Sequence, residues 1–199
     1  MIRFHESQAW RSFDLGHPGG GETTRSLLKR SGLRKGARIL DLCCGAGDSL
    51  TILGDHKMEA WGVDRQEVLD HTVTKNPKID KAMLHSWEGG ENLPFPHHYF
   101  DAVLCECSYS LLEDKEQVLK EVRRVLKEEG LFLIQDMTKD RPFTLKGFDL
   151  LDWQDESDHI KAFIARWIWQ TGEKYPKTCE GDRYFSGIYR KNQGVNHGF

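Results

Sequence analysis

Ala37-Arg38-Ile39-Leu40-Asp41-Leu42-Cys43-Cys44-Gly45-Ala46-Gly47-Asp48-Ser49-Leu50 passes from a buried-strand run of apolar residues, through two glycines, into a helical pattern. It reads as strand, tight loop and helix. Gly45 and Gly47 can take positive φ and carry no Cβ, so the backbone there can come close to a bound molecule. In an open α/β sheet that turn lies at the carboxyl end of a strand, where cofactors bind.

Outward from this stretch, strands and helices alternate. Toward the N-terminus, residues 1–18 are polar with scattered aromatics (Phe4, Trp10, Phe13) and read as an irregular arm or a short helix. A helix over 22–29 follows and ends at Gly32. Toward the C-terminus, a helix over 48–53 leads to a strand over 59–63 that runs into Asp64. A helix over 66–75 stops before Pro77, and strands are expected over 82–85 and 100–105. Asp114 with Gln117 forms a capping box for a helix striped by Val118, Leu119, Val122, Val125 and Leu126, which Gly130 closes at C′. Strands over 131–135, 148–153 and 184–189 complete seven. A helix from Ser157 turns Ile160, Phe163, Ile164, Trp167 and Ile168 to one face. Trp153, Trp167 and Trp169 read as packing residues, with an aromatic wall for a cationic substrate as the alternative. The fold expected is α/β: a Rossmann-like, doubly wound, seven-stranded sheet, mostly parallel, in one domain. Its parts are residues 1–32 (arm and helix), 33–137 (cofactor-binding core) and 138–199 (C-terminal strands and helix). Disorder is expected at the ends, above all over 192–199.

The 199 residues suffice for one such domain, and 38% hydrophobic with 30% charged residues is a soluble, globular composition with no run long enough to span a membrane. The start lacks a signal peptide's apolar core, so the expected location is the cytoplasm. A formal net charge of -3 argues against bulk electrostatic binding of nucleic acid. Five cysteines, an odd number, make no secreted-disulfide framework and read as reduced thiols.

Two cofactor classes combine a glycine loop after strand one with an acid after strand two, where Asp64 would accept hydrogen bonds from ribose hydroxyls. A dinucleotide fingerprint requires a third glycine where Leu50 stands, and Asp48 would repel a pyrophosphate. Asp41-Leu42-Cys43-Cys44-Gly45-Ala46-Gly47 instead resembles the first motif of class I S-adenosylmethionine-dependent methyltransferases. Leu93-Pro94-Phe95-Pro96, Phe100-Asp101-Ala102-Val103 and Val122-Arg123-Arg124-Val125-Leu126-Lys127 followed by Gly130 resemble later motifs of the family's small-molecule branch, in the same order. The resemblance covers roughly residues 33 to 137. It implies S-adenosyl-L-methionine as cofactor and Asp41, Cys43, Gly45, Gly47, Asp64, Arg65, Trp87, Glu88 and Cys105 as its contacts, with the last strand of the chain antiparallel.

The departures are Cys43 in place of the family's first glycine, Gly89 where an adenine-binding acid usually stands, and Glu129 in place of a proline. Glu88 and Glu91 are the nearby acids. Residues 137–147 are short for a substrate-recognition insert, so acceptor contacts are expected from the N-terminal arm, from residues after strand four, or from a second subunit in a homodimer. The implied activity is displacement at the sulfonium methyl by a small-molecule acceptor. Glu106, Tyr109, His17 and Asp136 are candidate general bases. Two alternatives are a module that binds the cofactor or its demethylated product without methyl transfer, and thiol-assisted methylation of a soft metalloid at Cys105 and Cys107. No metal site is expected from the cysteine spacing.

Overall fold

The computed structural model describes residues 16–172 and 183–192. The arm aromatics Phe4, Trp10 and Phe13 and the lone Cys179 lie outside the described residues. Five helices and seven strands are described: α1 (Gly20–Ser31), β1 (Arg38–Leu42), α2 (Asp48–Asp55), β2 (Glu59–Asp64), α3 (Gln66–Lys75), β3 (Leu84–Ser86), β4 (Phe100–Glu106), α4 (Lys115–Val125), β5 (Leu126–Thr138), β6 (Phe148–Asp155), α5 (Ser157–Thr171) and β7 (Arg183–Lys191). The sheet runs β3-β2-β1-β4-β5-β7-β6. The pairs among β1 to β5 are parallel, and β7 lies antiparallel between β5 and β6.

The central strands are covered on both faces, which is why they are apolar throughout rather than alternating. One face carries Leu40, Leu42, Val103 and Phe132 against Val118, Val122 and Val125 of α4. The other carries Ile39, Leu104 and Leu133 against Leu27 and Leu28 of α1 and Leu50, Ile52 and Leu53 of α2. Asp41 continues the row of Ile39, Asp64 that of Gly62, and Glu106 that of Leu104. All three acids therefore leave the sheet on the α1/α2 face.

The register sets their spacing. Asp41 pairs with Gly62 on β2 and with Leu104 on β4. Asp64 and Glu106 thus each lie two residues beyond Asp41's partners, at the level of Cys43, and Gln135 of β5 pairs with Glu106. The carboxyl tips of β2, β1 and β4 carry an acid each, on neighbouring strands about 4.8 Å apart.

Several local expectations differ from the structure. Gly130 does not close α4, because Leu126 already pairs with Phe100 and begins β5. The last helical carbonyls are taken by other donors, with His98 N–H to Arg124 O at 3.0 Å and Tyr99 N–H to Val125 O at 2.8 Å. The positive φ falls on Glu129 (60°). Only half of the capping box forms: Asp114 accepts from Gln117 N–H at 2.9 Å, but the Gln117 amide donates to Asn92 instead. Ala82 and Met83 belong to a helical turn capped by Asp80, so β3 starts at Leu84. Ile168, expected inside, is 48% exposed, and Trp169 is 90% exposed while Trp167 is buried. Asn192, expected to be disordered, donates its N–H to Gly147 O.

Two long-range clamps explain why separate motifs occur together. Asp101 accepts from Arg38 N–H at 2.8 Å and pairs with Lys127 at 2.7 Å, fixing the starts of β1, β4 and β5. Arg124 donates to Leu93 O and Phe95 O, and Glu121 accepts from Leu93 N–H while paired with Arg124. The Leu93-Pro94-Phe95 loop is thereby tied to α4.

Candidate functional site

The carboxyl ends of β1, β2 and β4 open into a cavity of about 390 Å³. That volume suits one ligand of cofactor size. Asp41, Cys43, Gly45, Asp64, Arg65, Trp87, Glu88, Glu106 and His17 all line it. Sequence reasoning did not single out its other walls: Ser49, Glu67, Val68, His71, Ser108, Leu111 and Leu112, with Cys107 weighed only as a metalloid ligand.

The glycine loop is held by its own backbone and by α3. Cys44 N–H donates to Val63 O at 3.0 Å and Gly47 N–H to Cys44 O at 2.9 Å. Thr72 Oγ1 donates to Gly45 O and Asn76 to Ala46 O. Gly45, at φ 53°, faces open space where a Cβ would stand, which leaves room for a ligand against the backbone. Gly47 is different. It does not line the cavity, and a Cβ there would stand 2.6 Å from Ile79 and 2.8 Å from Thr72, so its task is packing under the loop.

Asp64 Oδ2 accepts from Gly45 N–H at 2.9 Å and Oδ1 from Arg65 N–H at 2.8 Å, which fixes the carboxylate at the mouth of β2 with lone pairs to spare. Burial raises its pKa against these two hydrogen bonds. Asp41 is 2% exposed, and its Oδ2 is buried with no hydrogen-bond partner among the described residues. Burial, then the charges of Glu106, Asp64 and Asp48, push its carboxyl well above the ordinary range. A buried acceptor left unpaired costs free energy that a ligand donor recovers.

Trp87 forms a buried wall, with its N–H donating to Asp64 O and its indole to Glu91 O. Glu91 is occupied within its own loop, accepting from Glu88 N–H and Gly90 N–H, which leaves Glu88 as the acid of this segment facing the cavity.

Three of the residues expected near the reaction lie elsewhere. Cys105 is fully buried in the core on the α4 face and does not line the cavity. Cys107 lies past the end of the strand at φ 53° and does line it. The two thiols are therefore not side by side on the cavity wall, as the metalloid alternative requires. Tyr109 packs against Phe132 and Phe143, with its hydroxyl pushed up to about 12 by burial and then by Cys105 and Asp136. Asp136 is 1% exposed and accepts from Ser110 N–H, Ser110 Oγ and Met137 N–H, all at 2.7 Å. It clamps the turn after β4 onto β5.

The cavity is rich in acids: Asp41, Asp48, Asp64, Glu67, Glu88 and Glu106 line it, with Arg65 as the cation. Such a field favours a cationic ligand and disfavours a pyrophosphate.

The family model of the methyltransferase domain matches residues 40–134. The chain is 33% identical over 150 residues to a 2-phytyl-1,4-naphthoquinone methyltransferase of Synechococcus elongatus, covering 72% of this chain and 60% of that protein. It is 30% identical over 139 residues to the ubiquinone/menaquinone biosynthesis C-methyltransferase UbiE of Hahella chejuensis, covering 63% and 53% respectively. The chain thus spans little more than half the length of these relatives. Among solved structures, a phosphoethanolamine N-methyltransferase of Haemonchus contortus in complex with S-adenosyl-L-methionine superposes with a TM-score of 0.71 at 17% identity, over 96% of this chain and 58% of that one. At that identity the likeness concerns the fold. No helix among the described residues is long and apolar enough to cross a membrane.

Proposed function

Because this chain belongs to the class I S-adenosylmethionine-dependent methyltransferase family, we propose that it binds S-adenosyl-L-methionine in the cavity and passes its methyl group to a small organic acceptor. The observation that carries the reading is Asp41 Oδ2, a buried carboxylate oxygen without a partner among the described residues, in a cavity whose acids suit a cationic ligand. The cofactor supplies a methyl group already activated by a positively charged sulfur, so what remains for the protein is binding, alignment and exclusion of water.

Asp41 would accept from the ammonium of the methionine end, and Asp64 from the ribose hydroxyls with the lone pairs that Gly45 and Arg65 leave free. Trp87 and Val68 offer an apolar enclosure for the base, and Glu88 an acceptor at its edge. Gly45 lets the backbone approach without a side chain between. Gly16 and His17 line the cavity at the end of the N-terminal arm, which supports placing the acceptor beside that segment. The relatives named for quinones make hydroquinone rings the first acceptors to examine.

Calorimetry with S-adenosyl-L-methionine and S-adenosyl-L-homocysteine is expected to show one site for each. Release of the demethylated product should then follow addition of a hydroquinone, phenol, thiol or amine. Absence of binding to either compound overturns the proposal. Binding without product release from any acceptor leaves a cofactor-binding module in its place.

A further inference from the structure

Asp41 on β1 and Glu106 on β4 are acids on neighbouring strands, and among the described residues neither is paired with an arginine or lysine. They leave the sheet on the same face, with Glu106 two residues beyond Leu104, the partner of Asp41. Both line the cavity, and the Glu106 side chain is 6% exposed. After burial itself, the charge of Glu106 is the largest influence pushing the Asp41 carboxyl up. The arginine of the cavity wall, Arg65, stands at the tip of β2, 3.5 Å from Glu67. Two buried acids so placed are matched by a cationic ligand.

The donors of this corner are spent on Glu106 itself. Its Oε1 accepts from Thr24 Oγ1 of α1 at 2.9 Å and from the Gln135 amide of β5, and its Oε2 accepts from Ser49 Oγ of α2. Ser108 Oγ donates to the Glu106 backbone oxygen at 3.0 Å. A hydroxyl has one hydrogen to give, so neither Ser49 nor Ser108, the two hydroxyls on the cavity wall, keeps one for a ligand's carboxylate. His17 is turned to the same corner, with Nε2 3.3 Å from Thr24 Oγ1 and Nδ1 3.1 Å from Pro18 O. A carboxylate has about four acceptor sites, and three donors hold Glu106, while His17 Nε2 at 3.7 Å is beyond hydrogen-bond reach. One site on Oε2 is left for a donor, as is Asp41 Oδ2, which has no partner among the described residues. The two strand tips can accept hydrogen bonds from a ligand but offer it no hydroxyl hydrogen.

We propose that Asp41 and Glu106 together seat a primary ammonium, and that the site recognises the methionine end of its cofactor by the amino group alone, so that a form without the carboxylate binds as well. The inference rests on the S-adenosyl-L-methionine reading and deepens it. Glu106 joins Asp41 as a specificity-determining residue, and the ligand class widens to adenosyl sulfur compounds that end in a primary amine. An ammonium has three hydrogens, enough to serve Asp41 Oδ2 and Glu106 Oε2 at once. Its charge offsets two carboxylates that otherwise repel each other, whereas a ligand carboxylate brought to the same place meets two like charges. Fixed by donors from α1, α2 and β5, Glu106 is held in place before the ligand arrives, which lowers the cost of ordering it on binding.

The test is calorimetry on the full chain with three ligands that lack the sulfonium charge, which isolates the amino group. They are S-adenosyl-L-homocysteine, its decarboxylated form, which keeps the amine, and its deaminated form, which keeps the carboxylate. Wild type should bind the decarboxylated ligand within about threefold of S-adenosyl-L-homocysteine or more tightly, and the deaminated ligand at least about tenfold more weakly, as loss of a charged hydrogen bond implies. Glu106→Gln should cut the preference for the decarboxylated over the deaminated ligand at least about tenfold, while the deaminated ligand binds as before or more tightly. A variant that merely disturbed the corner would weaken all three ligands alike. Glu106→Asp, which draws the charge back by one methylene, should cut the preference at least about threefold and carries the test should the glutamine variant not fold. A deaminated ligand bound less than tenfold more weakly would mean that other donors, such as the first N–H groups of α2, serve the carboxylate, and overturns the inference. So does a decarboxylated ligand that loses more than threefold, or Glu106 variants that keep the wild-type preference or weaken all three ligands alike; in each case the S-adenosyl-L-methionine reading stands. Wild type that binds neither S-adenosyl-L-methionine nor S-adenosyl-L-homocysteine overturns both.

Discussion

Asp41→Asn separates the roles of a buried charge in binding and in stability, because the structure gives the two effects opposite signs. A hydrogen bond to a charged group is worth about 1.5–3 kcal/mol, so loss of the ammonium contact should weaken S-adenosyl-L-methionine binding roughly 10- to 150-fold. Without ligand, the same substitution replaces a buried carboxylate, whose Oδ2 has no partner among the described residues, with a neutral amide and should leave the domain as stable or more stable. The pH dependence follows from linkage. Burial, then Glu106, Asp64 and Asp48, raise the folded-state pKa of Asp41 above the ordinary 3.8, so the folded protein holds this proton more tightly than the unfolded chain. Its contribution to apo stability is therefore greatest at low pH and is lost as pH climbs from 3.8 through the folded value. Ligand binding, which requires the carboxylate, should strengthen over the same window and release a proton. Titration calorimetry at two pH values and thermal unfolding of the apo protein measure both arms. An unchanged dissociation constant, or an apo protein clearly destabilised by the amide, would refute the reasoning.

Asp64→Ala should weaken cofactor binding at least tenfold in the same calorimeter, since it removes both the ribose acceptor and the bond to Gly45 N–H; an unaltered constant rules out the ribose role. Gly47→Ala places a Cβ at φ 82° within 2.6 Å of Ile79, so left-handed backbone strain and overpacking together should cost about 2–4 kcal/mol, a fall in Tm of roughly 5–15 °C. A scanning calorimeter that finds Tm unchanged would show that α3 yields freely. Arg124→Ala strands the Glu121 carboxylate, 3% exposed, and should destabilise the fold by about 3–5 kcal/mol in urea unfolding. A change below 1 kcal/mol would mean that the loop of Leu93 and Phe95 finds other donors.

What could be read from the sequence was what local pattern decides. The first strand, the helix over 66–75 and the acid at the tip of the second strand follow from apolar runs, the proline at 77 and chain continuity, and they stand where expected. Long-range partners were not legible. Thr24, Ser49 and Gln135 are 82, 57 and 29 residues from Glu106, and nothing local marks them. Asp136 and Tyr109 were candidates because they fall near strand ends, but position at a tip does not settle whether a carboxylate faces a cavity or accepts from its own turn. The face decides it: Asp136 continues the row of Phe132 and Ile134 on the α4 side, while Gln135 shares the face of Glu106.

Cys43 shows the same division at one residue. Its departure from glycine is visible in the sequence; the structure holds it at φ 64°, in the left-handed region. Cys107 repeats the conformation at the tip of the neighbouring strand, at φ 53°, and both thiols line the cavity. A side chain in that region costs about 1–2 kcal/mol relative to glycine. At each tip a last backbone bond to the adjacent strand is nevertheless made, Cys44 N–H to Val63 O and Cys107 N–H to Gln135 O. The strained residues are thus where the chain leaves its last bond to the neighbouring strand and turns into the cavity wall. Strain of this kind persists only where surrounding contacts over-determine the backbone. Cys43 packs against the core while Cys107 reaches the Tyr184 hydroxyl, so each has a contact that glycine could not make. The cost of the two turns is set against firm walls on either side of the cavity that Asp41 and Glu106 line.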